Sequence, residues 1–209
     1  MIIKGIKKGK RGDSFLFFDK NFNDKNFMSL KTEILLKNGI KIGECLDEDK
    51  LERLIAESEI HRAKEKALNL LSYRSRSKKE LKKRIEQESN EAYADIAVKK
   101  MEDLGLVNDK AFAVEYASEL LFKRKFSLSG AKYKLREKGI EDELIEEVLA
   151  GMNIDEEQQA LDVINKKLLK KVVDEKNKKR VINVLNRLGY SWGVIKRAFL
   201  VFENQMKEM

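Results

Sequence analysis

Residues 135–149 of the chain, LREKGIEDELIEEVL, are matched in kind by residues 185–199, LNRLGYSWGVIKRAF. Each copy has a leucine, a glycine four residues later, an apolar residue directly after the glycine, and two further apolar pairs. A helix that stops at a glycine and is followed by a second amphipathic helix has this pattern. The fixed offset of 50 residues predicts a tandem helical repeat with Leu135, Leu185, Ile145 and Ile195 in its core.

A third copy is indicated by Ile85, which stands 50 residues before Leu135 and four residues after Leu81. This copy lacks the glycine, and Ile96 takes the place of Ile145. We therefore expect a mainly α fold of tandem three-helix repeats, three units in an elongated array, because such units bury apolar surface against their neighbours. The expected boundaries are a small β-containing element at 1–50, a linker helix and first three-helix unit at 51–108, and further three-helix units at 109–153 and 154–209.

The N-terminal element has a different apolar pattern. The aromatic run Phe15-Leu16-Phe17-Phe18 is typical of a strand, and residues 29–36 alternate between apolar and polar side chains. Asn38-Gly39 then favours a turn. Together these features predict two to four short strands.

Helical periodicity begins near Asp47 and predicts a long helix that ends at about Tyr73. Ser77 and Glu80 follow with the spacing of a capping box, in which each side chain satisfies one amide at a helix start. A further helix is therefore predicted from this serine.

The composition favours a helical protein and argues against a membrane-spanning, secreted or disulfide-bonded one. Charged residues make up 38% of the chain and proline is absent, as expected of helices with one wet face. The sequence has no run of 18 apolar residues and no apolar signal-peptide segment near its start. The single cysteine, Cys45, cannot form an internal disulfide. We expect a cytoplasmic, monomeric protein without a membrane partner.

Residues suited to catalysis or metal binding are few, so we expect no enzyme, no metal and no cofactor. The only histidine, His61, is predicted to be an exposed helix residue, and Cys45 has no histidine near it in sequence. The glycines and Lys10 near the N-terminus have the wrong spacing for a phosphate-binding loop. Asp109 is better explained as a helix cap, and Trp192 as a core or helix-start residue than as a base-stacking one.

Basic residues concentrate in three windows, 73–84, 123–138 and 166–180, each with a net charge of +6 within a chain of net charge +8. Each window lies on or just before the second helix of its unit. One basic run is usually a solvated surface, but three at equivalent places predict an interrupted basic track, which suits a nucleic-acid backbone or a protein filament. The candidate partner- or DNA-binding residues are Arg74, Arg76, Lys78, Lys79, Lys82, Lys83, Arg84, Lys123, Arg124, Lys125, Lys132, Lys134, Arg136, Lys166, Lys167, Lys170, Lys171, Lys176, Lys178, Lys179 and Arg180.

Three motifs carry a family resemblance. Residues 74–81, RSRSKKEL, form an arginine-rich entry to a capped helix; residues 104–113 read LGLVNDKAFA; and residues 135–140 read LREKGI. With these motifs in this order over about 57–203, the chain resembles the RecX family, which regulates the RecA recombinase. It departs from the family pattern at Lys134, where an acid commonly precedes the leucine.

The resemblance implies a non-catalytic regulator that binds RecA filaments on DNA and modulates, in the direction of inhibition, filament growth, ATP hydrolysis and strand exchange. Its expected partners are RecA and its nucleoprotein filament, with DNA bound weakly or through the filament. The alternative is an autonomous DNA- or RNA-binding helical-repeat protein, although no cluster of Asn, Gln and Arg at one helix start favours sequence-specific readout. Aromatic residues interleaved with basic ones, as a single-strand platform needs, are limited in this interpretation to Tyr73, Phe126 and Tyr133.

Overall fold

The computed structural model describes residues 1–22, 25–168 and 174–208, and in this part of the chain three strands precede ten α-helices. The strands are β1 (Ile3–Lys8), β2 (Asp13–Phe22) and β3 (Lys25–Lys31). The helices are α1 (Thr32–Lys37), α2 (Glu48–Tyr73), α3 (Lys78–Ile85), α4 (Glu91–Asp103), α5 (Asp109–Ser118), α6 (Leu128–Glu137), α7 (Asp142–Ala150), α8 (Glu156–Leu168), α9 (Glu175–Arg187) and α10 (Trp192–Glu208), and a π-helical turn, Glu119–Lys123, follows α5. The predicted fold class, mainly α with a small N-terminal β element, is confirmed.

Two compact units make up the chain. The first consists of Met1–Ser75 and Leu81–Val107, and the second of Arg76–Glu80 and Asn108–Met209. None of the described helices combines the length and the apolarity that a membrane span requires.

The N-terminal sheet of the first unit is antiparallel in the order β1-β2-β3. Leu16 on β2 lies opposite Ile6 on β1 and Met28 on β3. Ile3, Leu16 and Leu30 are each at most 2% exposed, so the inner face of the sheet belongs to the core. Since successive side chains of a strand point to opposite faces, the neighbours of Leu16 in β2 lie on the outer face.

The strand predicted over residues 29–36 is wrong beyond Lys31, because α1 begins at the next residue. Ile34 and Leu35 are adjacent in sequence and both are buried. A strand would place these two side chains on opposite faces, whereas one turn of helix turns both toward the core.

The predicted long helix is confirmed as α2, whose N-cap residue Asp47 accepts a hydrogen bond from the N–H of Lys50 at 2.7 Å. The second half of α2 shares a core with α3 and α4. The expectation for Ile96 was wrong, because Ile96 is 43% exposed and its neighbour Ala97 is fully buried. The buried residues of this core are Ala63, Ala67, Leu81, Ile85, Ala94, Ala97, Val98, Met101 and Val107.

The second unit has two hydrophobic cores. Helices α5, α6 and α7 and the π turn enclose one of them, and α8, α9 and α10 enclose the other. Leu135, Leu185, Ile145 and Ile195 are each 0% exposed, as the repeat predicts. The elongated arrangement and the boundaries at 51, 109 and 154 stay predictions.

The second helix of each three-helix group buries the same two positions. One position is occupied by Leu81, Ala131 and Val181, and the position four residues later by Ile85, Leu135 and Leu185; all six are at most 4% exposed. The side-chain volume differs between groups at the first position, whereas the second position always holds a leucine or its isomer isoleucine, and burial is retained at both.

Candidate interaction surface

Ser77 joins the start of α3 to the end of α6, two helices that carry predicted basic residues. Ser77 Oγ accepts a hydrogen bond from the N–H of Glu80 at 3.2 Å and donates one to the carbonyl of Lys138 at 2.6 Å. The serine half of the predicted capping box is therefore present. The Glu80 carboxylate forms ion pairs with Arg76 at 3.5 Å and with Lys138 at 3.3 Å.

Ser127, 50 residues after Ser77, makes the same two contacts. Its hydroxyl accepts from the N–H of Gly130 at 3.0 Å and donates to the carbonyl of Leu188 at 3.2 Å. Both serines are at most 1% exposed. Each buried hydroxyl thus caps the start of one helix and also satisfies a carbonyl just after the end of another helix.

An acidic residue supports each of these helix starts. Asp109, the first residue of α5, accepts from the N–H of Lys78 at 2.8 Å, and Glu156, the first residue of α8, accepts from the N–H of Leu128 at 2.7 Å. The cap of α5 itself is Asn108. The prediction that Asp109 is a helix cap is therefore confirmed, and the helix that it caps is α3 rather than α5, in which it lies.

Two glycines allow close backbone contact at the second of these junctions. Gly189 has φ +89°, and a Cβ atom on it would lie 2.6 Å from the Cα of Gly130 and 2.8 Å from Ser127 Oγ. A Cβ atom on Gly130 would lie 2.2 Å from the carbonyl oxygen of Leu188. Only residues without a side chain fit this contact, which explains the glycine of the repeated motif.

In the first basic window, Arg76 lies away from solvent, with only 9% of its surface exposed, beside Glu80. Arg74 and Lys79 are exposed, and the stem of Lys79 packs against Gly139. Lys78 is half-buried at the start of α3. Arg76 therefore contributes to the helix junction rather than to an exposed basic surface.

The remaining residues of this window, in the first unit, divide into paired and unpaired cations. Lys82 Nζ lies 2.7 Å from Asp95, 3.0 Å from Glu91 and 3.8 Å from Glu86. Hydrogen bonds from Lys82 to the first two of these carboxylates raise the pKa of its amine. Lys83 and Arg84 are exposed and form no ion pair with any residue that the structure describes.

The second basic window is largely neutralised within the protein. Lys132 forms an ion pair with Glu146, and Lys134 with Glu137 at 2.7 Å. Arg136 contributes its Nε and Nη2 atoms to the Asp142 carboxylate at 2.5 and 3.0 Å. The acids of α7 thus compensate much of the charge of α6.

The pKa values of these side chains reflect the same pairing. The hydrogen bond from Arg136 lowers the pKa of the Asp142 carboxyl, and the one from Lys134 lowers the pKa of the Glu137 carboxyl. The pKa values of Lys134 and Arg136 are raised in turn. Arg136, Glu137 and Asp142 are exposed and Lys134 is half-buried, so these pairs set local charge more than stability.

The three basic residues shortly before α6 differ in their ion pairing. The Arg124 guanidinium lies 5.2 Å from the centre of the Phe126 ring and 3.7 Å from Glu119. Lys125 Nζ lies 3.3 Å from Asp162. Lys123 is exposed, without an ion pair in the described ranges 1–22, 25–168 and 174–208.

The third basic window keeps the most exposed charge in the second unit. Lys178 Nζ pairs with Glu203 at 2.7 Å, and Arg180 donates a hydrogen bond to Asn177 at 3.4 Å. The exposed lysines of this window that have no ion pair among the described residues are Lys166 and Lys167 on α8 and Lys176 and Lys179 on α9. Lys170 and Lys171 lie outside the described residues.

Three phenylalanines on the outer face of the N-terminal sheet were missed as candidate functional residues. Phe17 and Phe27 lie directly opposite each other on β2 and β3 and are 37% and 39% exposed. Phe15, on the same face, is partly exposed. We call these three residues the phenylalanine face. The alternation of the run 15–18 was the available signal, because burial of Leu16 places both its neighbours outward.

Three further residues considered in the sequence analysis are Trp192, His61 and Cys45. Trp192, predicted to be a core or helix-start residue, is the first residue of α10 but is 63% exposed, so it is not part of the core. His61 is half-buried rather than exposed, with Nε2 3.4 Å from Glu33 and 3.9 Å from Glu65. Cys45 is an exposed free thiol. Within the described part of the chain, no three His, Cys, Asp or Glu residues cluster as a metal site would require.

Equivalent serine junctions and exposed cations on repeated second helices define a class of tandem three-helix protein. A family model described as RecX, first three-helix domain, matches residues 63–95. A regulatory protein RecX from Bacillus velezensis is 31% identical over 188 residues, which cover 87% of this chain and 70% of the relative. The chain belongs to the RecX family.

Two further comparisons also cover most of this chain. A regulatory protein RecX from Clostridioides difficile is 27% identical over 199 residues, which cover 94% of this chain and 93% of the relative. A crystal structure of regulatory protein RecX has a TM-score of 0.63 at 20% identity and covers 93% of this chain and 98% of that chain. The structural similarity concerns the fold.

Proposed function

We propose that this chain is a non-catalytic, cytoplasmic regulator of the RecA recombinase. In this proposal the monomer binds RecA filaments on DNA and modulates, in the direction of inhibition, filament growth, ATP hydrolysis and strand exchange. Membership of the RecX family supports the regulatory role, because the similar relatives are themselves named regulatory proteins.

One observation supports a binding mechanism. Exposed cations without an ion pair in the described part of the chain remain on two of the three repeated second helices: Lys83 and Arg84 on α3, and Lys176 and Lys179 on α9. Unpaired cations at equivalent helices keep their full charge for an external partner. An acidic protein surface or a phosphate backbone is the complementary partner.

Ion pairs formed by the basic residues of α6 reduce the charge that this helix adds to the predicted basic track. Lys132, Lys134 and Arg136 each already pair with a carboxylate of the protein. A partner that engages these residues must first compete with Glu146, Glu137 or Asp142. The proposed contacts therefore centre on α9 and on the end of α3, with α6 contributing less net charge.

Binding to RecA filaments on single-stranded DNA, compared with bare DNA of the same length and at the same salt concentration, tests this proposal. The recombinase proposal requires tighter binding to the filament, together with an altered rate of RecA ATP hydrolysis. Equal affinity for filament and bare DNA across several salt concentrations would contradict it and favour the autonomous nucleic-acid-binding alternative.

Charge variants locate the contact surface. The triple variant Lys176→Gln, Lys179→Gln, Arg180→Gln should weaken filament binding and reduce its salt dependence, because each lost phosphate contact lowers the slope by roughly one unit. Lys207→Gln is the matched control, since Lys207 is exposed on α10 and has no ion pair in the described ranges. A loss of affinity per removed charge that is the same for both variants would indicate a general charge effect and no defined surface.

A further inference from the structure

The phenylalanine face is an open aromatic surface. The rings of Phe17 and Phe27 lie 5.9 Å apart between centroids, and those of Phe15 and Phe27 lie 6.1 Å apart. Opposite Phe17 on β1 stands Gly5, which has no side chain to cover the ring. Cross-strand pairing accounts for the contacts between the rings. It does not account for three large apolar side chains gathered on a face that is left open to solvent.

The surrounding charge is strongly positive. Lys7 is the cross-strand neighbour of Phe15, so both side chains lie on the outer face, and Lys25 precedes Phe27 by two residues on β3. The exposed basic residues in this stretch that form no ion pair within the described residues are Lys4, Lys7, Lys8, Lys10, Arg11, Lys20 and Lys25.

The acidic residues of the described strands are already engaged. Asp13 Oδ1 lies 3.1 Å from the Arg62 guanidinium and 3.7 Å from Lys31 Nζ. Asp19 accepts a hydrogen bond from the N–H of Ile2 at 2.8 Å, which lowers the pKa of its carboxyl. Asp13 is thus paired with cations other than those around the rings, and Asp19 keeps its negative charge, so the seven unpaired basic residues outnumber the acid left near them.

We propose that the phenylalanine face binds single-stranded DNA, with bases stacked on Phe15, Phe17 and Phe27 and phosphates held by the neighbouring lysines. Stacking on aromatic side chains beside a basic track is how sequence-tolerant single-strand binding is achieved. The bases of a duplex are already stacked on each other, so their faces do not reach a flat sheet. This site concerns bare DNA and does not rest on the recombinase proposal.

The polar groups of the face favour DNA over RNA. A protein selects RNA by binding the 2′-hydroxyl. The Ser29 hydroxyl lies opposite Phe15 on the same face, and it already accepts a hydrogen bond from Arg62 at 3.2 Å. One acceptor site of this hydroxyl is therefore occupied within the protein, which reduces its capacity to bind a ribose hydroxyl.

Fluorescence anisotropy of a labelled thymidine 20-mer tests the site with the full chain. Phe17→Ala and Phe27→Ala should each weaken binding about tenfold, as expected for loss of one stacking ring. The double variant Phe17→Tyr, Phe27→Tyr keeps both rings and should bind like the native chain. Leu36→Ala is the matched control, because Leu36 is a large apolar residue that is 77% exposed and lies off the sheet, on α1.

A fluorescent reporter separates this site from the basic helices. The chain has one tryptophan, so Phe27→Trp combined with Trp192→Phe places the only indole on the sheet. Its emission should be quenched as the oligonucleotide binds, and circular dichroism checks that each variant is folded. Unchanged emission at saturating oligonucleotide or native affinity of both the Phe17→Ala and the Phe27→Ala variant would overturn the proposal. Equally ring-dependent binding of a duplex, or tighter binding of a uridine 20-mer, would do so as well.

Discussion

Ser77 Oγ lies 2.6 Å from the carbonyl oxygen of Lys138, and Ser127 Oγ makes the same contact with the carbonyl oxygen of Leu188 at 3.2 Å. Both contacts join residues that are 61 positions apart in the chain. The 50-residue repeat therefore extends beyond the packing of apolar side chains and includes the hydrogen bonds that hold successive helices together.

The first prediction concerns this contact. Ser127→Ala should lower the free energy of unfolding by about 1–2 kcal/mol, because it removes the cap of α6 and leaves the carbonyl of the half-buried Leu188 with one hydrogen-bond donor fewer. Urea denaturation measures the change. Ser129→Ala is the control, since Ser129 is exposed in the first turn of the same helix. A Ser127 variant no less stable than the Ser129 variant would contradict the junction.

The second prediction concerns the glycine contact. Gly189→Ala should destabilise the fold by at least about 2 kcal/mol, because it combines a left-handed backbone with a Cβ atom 2.6 Å from the Gly130 Cα. Gly105→Ala should cost only about 1 kcal/mol, since Gly105 has φ +70° but nothing within 4 Å of an added Cβ. Thermal denaturation of both variants gives the comparison. Equal losses would show that backbone conformation alone selects the glycine.

Local sequence predicted much of this fold because its causes are local. The cap at Ser77 and the glycine stop at Gly139 depend on residues within one or two helical turns, and the apolar periodicity of α6 marks the side on which Leu135 is buried, although the residues that cover it lie on α5, the π turn and α7. The mispredicted strand after Lys31 belongs to the first unit, where long-range packing of Ile34 and Leu35 overrides alternation.

The candidate surface was harder to predict because its charge depends on distant partners. Lys178 pairs with Glu203, 25 residues away, and Lys132 pairs with Glu146, 14 residues away. A count of charges within one sequence window treats both lysines as free to bind an external partner. The exposure of Phe27 likewise depends on the pairing of β2 with β3, which determines the face that it shares with Phe17.

The third prediction tests the repeated core. Leu135→Ala and Leu185→Ala should each cost roughly 2–5 kcal/mol, because both side chains are fully buried. Leu200→Ala, at a leucine that is 59% exposed on α10, should cost much less. Chemical denaturation of the three variants measures this difference. Lys138 would be a poor control, because its amine pairs with Glu80 and lies 5.6 Å from the centre of the Tyr116 ring.

The fourth prediction is a pH dependence. The pKa of Asp142 is lowered from its ordinary value of 3.8 by Arg136, so its contribution to stability is complete above that value and is lost as pH falls through the lower pKa of the folded state. The stability difference between the native chain and Asp142→Asn should be constant near neutral pH and vanish in strong acid. Glu143→Gln, in the same first turn of α7, is the control for the helix dipole. A native-minus-Asp142→Asn difference that persists unchanged at pH 2 would contradict the assignment.

The last prediction asks whether α6 faces the partner. Asp142→Asn and Glu146→Gln remove the carboxylates that pair with Arg136 and Lys132, so the double variant releases two cations on α6 without adding a basic residue. If α6 lies in the interface with an anionic partner, filament binding should tighten and its salt dependence should steepen. Glu119→Gln, Glu157→Gln is the matched control, because these changes remove the same charge but release Arg124 and Arg197, which lie outside α6. Tighter filament binding by the α6 variant alone places this helix in the interface. Equally tighter binding by both variants reflects net charge. Unchanged binding by both variants leaves α9 and α3 as the contact helices.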